Sequence, residues 1–297
     1  MPKALINLSN LKGLVQKIIN LILFGNFWIA FCAVAMTWQT ELLLFGTVEW
    51  TPLTSFVFFS TLFLYAVHRI VGLVKVKPFL EKYRYAIIYR FRNHIKFYAF
   101  LGGVGACYFF FQLSLANQLL LVIPSILSLG YVLPFVKGKK RLRDFDYIKI
   151  FLVAIVWGVI TVLMPILERT TTLEMRHLLI LLERMFFIFA ITLPFDIRDL
   201  KIDAHIEVKT IPGMIGIKNT KQLARFSLLM VVLLAVLNWN WFLGYYSFNN
   251  LLGIFFACCT TLWLIEKSDK TDEDYFFTGL MDGTMILQFL LVLFFNS

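Results

Sequence analysis

Nine long apolar runs leave this chain only one solvent to fold in. They cover residues 20–37, 53–74, 95–113, 117–135, 147–167, 177–195, 222–243, 246–265 and 276–295. Most hold about 20 residues, enough for an α-helix to cross the roughly 30 Å of bilayer hydrocarbon. A membrane barrel is excluded, because its strands would read as alternating segments of about ten residues. The hydrophobic share, 60% of 297 residues, suits lipid-facing helices and not an ordinary soluble domain. No connection between runs is long enough for a soluble domain. Residues 1–297 therefore read as a single transmembrane helical domain: all-α, polytopic, a bundle of about nine transmembrane helices.

The cations between the runs alternate. Lys3, Lys12 and Lys17 precede the first run. Lys75, Lys77, Lys82, Arg84, Arg90, Arg92 and Lys96 follow the second, and Lys137, Lys139, Lys140, Arg141, Arg143 and Lys149 follow the fourth. Arg198, Lys201, Lys209, Lys218 and Lys221 follow the sixth, while the other connections hold few cations or none. By the positive-inside rule the N-terminus and the basic loops are cytoplasmic, and nine spans put the C-terminus outside. This is the layout of a multi-pass protein of a bacterial inner membrane. Topology and contact with anionic membrane lipid account for the formal net charge of +10, and no nucleic-acid-binding motif accompanies it. Cys32, Cys107, Cys258 and Cys259 lie inside apolar runs without metal-ligand spacing and read as free thiols. The run after Met1 to Lys17 is long enough to span, so this start reads as part of the chain and not as a cleaved signal peptide.

The chemistry concentrates after the sixth run. Asp196, Asp199 and Asp203 stand at i, i+3 and i+7, which a helix gathers on one stripe. Carboxylates so placed repel each other unless a cation sits among them, and hard divalent ions such as Mg2+ take oxygen ligands. Lys209-Thr210-Ile211-Pro212-Gly213 follows, a cationic, turn-rich segment. Together they suggest a phosphate-bearing substrate. The alternative is a solvated helix end whose acids are balanced by Arg198 and Lys201.

The pattern Asp196-x-x-Asp199-x-x-x-Asp203, followed by Lys209-Thr210-Ile211-Pro212 and Gly216, resembles the second aspartate-rich motif of the UbiA superfamily of intramembrane prenyltransferases. The nine-helix layout is similar to that superfamily, as is Tyr131-Val132-Leu133-Pro134-Phe135 leaving the fourth run into a basic loop. The resemblance implies transfer of a prenyl group from a prenyl diphosphate to a lipophilic acceptor. It also implies Mg2+ held between two aspartate-rich motifs, after helices 2 and 6, and ionisation to an allylic cation. On that resemblance Asp196, Asp199 and Asp203 are the catalytic metal ligands, with Lys209 and Arg198 beside the diphosphate.

The chain departs from this pattern at the second run. No Asp or Glu occurs between Glu49 and Glu81, so the first aspartate-rich motif is absent. His68 and Arg69 stand in its place. Arg69 is expected to clamp phosphate directly, since a guanidinium matches phosphate oxygens, with His68 donating a hydrogen bond or shuttling a proton. The other reading of Arg69 is a side chain snorkelling to lipid phosphate. Two rival functions remain open: a non-catalytic relative that binds a polyprenyl or phospholipid, and a membrane transporter. Glu183, Arg184 and Asp282 are ionisable residues inside apolar runs and count as functional candidates by default. For Glu183 and Arg184 the alternative is a packing network. The basic stretch Lys75 to Lys96, with Tyr83, Tyr85 and Tyr89, reads as an interfacial segment or a lid. Asp269, Asp272, Glu273 and Asp274 read as a solvated loop, the alternative being a second metal site.

Overall fold

A computed structural model describes residues 8–73, 83–133, 141–170, 172–205, 208–240 and 246–296. Lys3, Lys75, Lys77, Lys82, Pro134-Phe135, Lys137, Lys139 and Lys140, all named above, lie outside the described residues. The described chain runs α1 (Leu8–Phe24), α2 (Phe27–Phe45), α3 (Pro52–Gly72), α4 (Tyr83–Arg90) and α5 (Arg92–Phe110). It continues with α6 (Leu115–Leu120), α7 (Val122–Val132), α8 (Ile148–Gly158), α9 (Met164–Arg169), α10 (Met175–His205), α11 (Ile211–Asn240), α12 (Phe248–Lys267) and α13 (Asp282–Asn296). Single π turns at Val159–Leu163 and Phe276–Met281 join α8 to α9 and lead into α13. The all-helical, polytopic expectation holds.

Eight helical segments among the described residues are long and apolar enough to cross a membrane. One of the nine expected runs, 95–113, accounts for the difference, and another, 20–37, yields a span that begins later than expected. The run 20–37 is not one span. Gly25 closes α1 with its N–H on the Leu21 carbonyl, and Asn26 takes the left-handed conformation at φ 69. Asn tolerates that region, so the chain turns there, and the first span is Phe27–Phe45. The run 95–113 falls largely in a 19-residue helix, α5, whose first five residues include Arg92, Asn93, His94 and Lys96 and dilute its apolar length.

Local sequence starts the helices where they begin. Thr51 caps α3, accepting from the Thr54 N–H, and Pro52 fills the first turn, where no donor is needed. Ser114 and Ser247 cap α6 and α12 in the same way. Pro165 lies just past a π turn and cannot donate to the carbonyl of Thr161. The Thr40 hydroxyl from α2 donates to that carbonyl instead, at 2.7 Å, and so ties two spans together.

Packing contacts link α2, α3, α7, α8, α10, α11, α12 and α13 in a closed circuit, with α5 against α3. At the α3–α5 contact, a Cβ on Gly102 would meet the Phe63 nitrogen at 2.8 Å and the Phe59 carbonyl oxygen at 3.0 Å. Small residues permit this approach in lipid. Gly102→Val is expected to cost at least about 1–3 kcal/mol, read as a lower melting temperature in detergent. An unchanged melting temperature would mean the two helices are not so close.

Glu183 and Arg184 belong to the bundle's framework. Arg184 donates to the Met36 carbonyl at 2.7 Å, and Glu183 accepts from the Tyr246 hydroxyl at 3.0 Å. Of the two readings offered for this pair, the packing network is the one that the geometry matches.

Candidate functional site

Two cavities meet inside the bundle. One is polar, about 280 Å³, and the other is apolar, about 440 Å³. Tyr65, His68, Tyr131 and Val153 line both and form the neck region where the two adjoin.

The carboxylate stripe of α10 forms one wall of the polar cavity: Asp196, Asp199 and Asp203 all line it. The helical spacing thus does what the sequence indicated. Lys149, from the first turn of α8, reaches between two of them. Its Nζ lies 2.7 Å from Asp196 Oδ1 and 2.8 Å from Asp203 Oδ2. Arg198 holds the third, with Nε at 2.9 Å and Nη2 at 3.0 Å from the Asp199 oxygens. Arg198 itself sits against the Phe195 and Phe277 rings, with guanidinium-to-centroid distances of 5.1 and 4.8 Å.

The opposite wall is cationic. His68 and Arg69, at the end of α3, both line the cavity. Arg143 donates to His68 Nε2 and lies 5.4 Å from the Tyr131 ring centre, fixing the neck. Arg141 completes the wall and is buried. Arg69 donates to the carbonyls of Phe24 at 3.2 Å and Leu23 at 3.3 Å, the last turn of α1. A cation at a helix C-terminus is favourably placed. Arg69 therefore braces α1 while facing the cavity. Asp282, which had no role from sequence alone, lines the same cavity, and so does Ile88 of the short helix α4. The stretch read as an interfacial segment or a lid thus contributes directly to the wall.

Lys209 is not brought to this cavity. Its side chain is 73% exposed, and its Nζ lies 4.0 Å from Asp146 Oδ2. The main chain of Lys209 is what the fold uses. Its N–H donates to Asp146 Oδ1 at 3.0 Å, and its carbonyl accepts from the Tyr147 N–H at 3.1 Å. The acidic loop after α12 is tied to the bundle. Lys221 donates to Asp269 and holds that carboxyl below its ordinary range, and Asp274 lies 3.8 Å from Arg198.

Lys149, Arg141 and Arg143 escaped the sequence reading, which counted them as loop charges. The missed signal was a lysine directly inside the apolar run Ile148-Lys149-Ile150-Phe151, where a charge needs a partner.

The arrangement does not fit a divalent ion as it stands. Mg2+ requires a near-octahedral shell of oxygens. The α10 carboxylates already hold an ammonium and a guanidinium, α3 offers no carboxylate, and no cluster of three metal-ligating side chains occurs among the described residues.

Residues 90–290 match the UbiA prenyltransferase family. Among solved structures, the chain is similar to one described as digeranylgeranylglyceryl phosphate synthase in membranes. The identity is 12% and the TM-score 0.58, and the likeness covers 95% of this chain and 99% of that one. At that identity the likeness shows a shared fold. No curated protein is significantly similar in sequence.

Proposed function

The chain belongs to the UbiA prenyltransferase family, and on that premise we propose that it moves a prenyl group from a prenyl diphosphate to a lipophilic acceptor. The observation that carries this reading is the adjacency of the two cavities, which share Tyr65, His68, Tyr131 and Val153. A polar chamber lined by arginines and Lys149 lies beside an apolar chamber, with Tyr65, His68 and Tyr131 facing both. An amphiphile with an anionic head and a hydrocarbon tail fits both at once.

In this reading the bond between C1 and the diphosphate oxygen breaks at the neck, and its electron pair leaves with the diphosphate. Arg141, Arg143 and Lys149 take up the developing negative charge. The negative faces of Tyr65 and Tyr131 shield the allylic cation. The acceptor donates an electron pair to C1, and the proton it loses leaves with the diphosphate. Family members generally use a divalent metal. Its expected ligands here, Asp196, Asp199 and Asp203, carry Lys149 and Arg198 instead of an open coordination sphere, so no step of this reading runs through Mg2+. The alternation of basic loops supports a cytoplasmic polar chamber.

The test is incubation of purified protein with radiolabelled geranylgeranyl diphosphate and a membrane lipid extract as the acceptor source. Release of diphosphate together with a labelled lipid product is expected. Tight binding without release, at every prenyl length tried, would instead favour the lipid-binding relative, to which the absent first motif already lends weight. Arg69→Ala is expected to weaken binding of the unreactive geranylgeranyl thiodiphosphate roughly tenfold, and Arg69→Lys to recover part of it. Unchanged binding would leave Arg69 as a brace for α1 alone.

A further inference from the structure

The prenyl diphosphate reading underlies this inference. We propose that the Lys149 ammonium stands where a metal ion would bridge the α10 carboxylates, and that this makes diphosphate binding metal-independent. Three observations carry it.

The first is geometric. Asp196 and Asp203 are two turns apart on one face, and the Lys149 Nζ contacts both, at 2.7 and 2.8 Å. An ammonium has three donors. Two go to these carboxylates, and the third serves a phosphate oxygen.

The second is the charge of the chamber. Arg69, Arg141, Arg143, Lys149 and Arg198 give five cations against the four carboxylates of Asp196, Asp199, Asp203 and Asp282. A site built on two carboxylate motifs is net negative and needs added cations before it can accept a diphosphate. This chamber supplies its own. α3 carries no carboxylate, and Lys149 places a cation directly on the α10 stripe.

The third is the way Lys149 is aimed. Tyr147, two residues before it, adopts φ 62, a left-handed conformation that is uncommon for a bulky side chain. That turn is held by the Tyr147 N–H on the Lys209 carbonyl, while the Asp146 carboxylate accepts from the Lys209 N–H. The conformation starts α8 with Lys149 pointing at the stripe. Lys209, expected to touch the diphosphate, supports it through its main chain.

The test uses calorimetry of geranylgeranyl thiodiphosphate on the detergent-purified full chain, with either excess EDTA or Mg2+. Wild-type affinity is expected to differ by less than about threefold between the two. Lys149→Met in EDTA is expected to lose roughly tenfold or more, with Mg2+ restoring part of the loss. Mn2+ electron paramagnetic resonance gives a readout independent of substrate. Lys149→Met should immobilise Mn2+ between the vacated carboxylates, and the wild type should not. Wild-type binding that vanishes in EDTA and returns with Mg2+, or wild-type immobilisation of Mn2+, overturns the inference and leaves the diphosphate reading intact. Absence of binding in both buffers overturns the diphosphate reading itself. The wild-type arms decide between these without any variant.

Discussion

Lys149→Met, in metal-free buffer, is expected to destabilise the protein more than any other single change in the polar chamber. The ammonium and its two carboxylates are nearly sealed from solvent, with side chains 9%, 5% and 6% exposed. Removing one member of a buried ion group leaves the others charged and unmatched, at a cost of about 3–5 kcal/mol. Here two like charges would be left facing each other. In a chain this size that corresponds to a fall in melting temperature on the order of 10 °C. The triple variant Lys149→Met, Asp196→Asn, Asp203→Asn removes the unmatched charge and should recover most of the loss, because neutralising a whole buried group costs far less than breaking it. Thermal unfolding in detergent measures both. A single variant as stable as the wild type would mean that water reaches the three side chains freely.

Ser60→Phe should separate the two chambers functionally. Ser60 lines the apolar chamber from α3, two helical turns and a little more before His68, about 12 Å along the axis. A ring there would occupy the part of the chamber that a long tail fills and leave the neck untouched. Burying a methylene is worth about 0.8 kcal/mol, so excluding one five-carbon unit should weaken a long-chain thiodiphosphate more than a hundredfold. Inorganic pyrophosphate and the dimethylallyl analogue should bind as before. Equal losses for all three ligands would mean that the ring disturbs the polar end.

The sequence carried the stripe and the membrane bundle because both rest on local periods. An apolar run of span length is a helix in lipid whatever surrounds it, and i, i+3, i+7 carboxylates share a face on any helix. The misreadings occurred where a turn decides. Gly25-Asn26 divides an apolar run that is otherwise continuous, so the first span begins later than run length alone indicated. Lys149, Arg141 and Arg143 sit in a stretch that looks like a basic connection. A left-handed turn at Tyr147 aims Lys149 at α10, and nothing local in the sequence states that. The opposite happened at Lys209. It follows the aspartate stripe as the family pattern does, yet its side chain faces outward and its backbone does the holding. His68 and Arg69 fell between these cases. The vacancy of carboxylates on α3 drew notice to them, and both do line the chamber. The anchorage of Arg69 on α1 depends on a contact across 45 residues.

The most direct measurement is an experimental structure of the protein with geranylgeranyl thiodiphosphate, prepared in EDTA. The diphosphate is expected between Lys149, Arg143 and His68, with its first carbon between Tyr65 and Tyr131 and its tail in the apolar chamber past Ser60. A diphosphate lodged instead at the exposed Lys209 side chain, or a tail lying along the outer surface of the bundle, would contradict it.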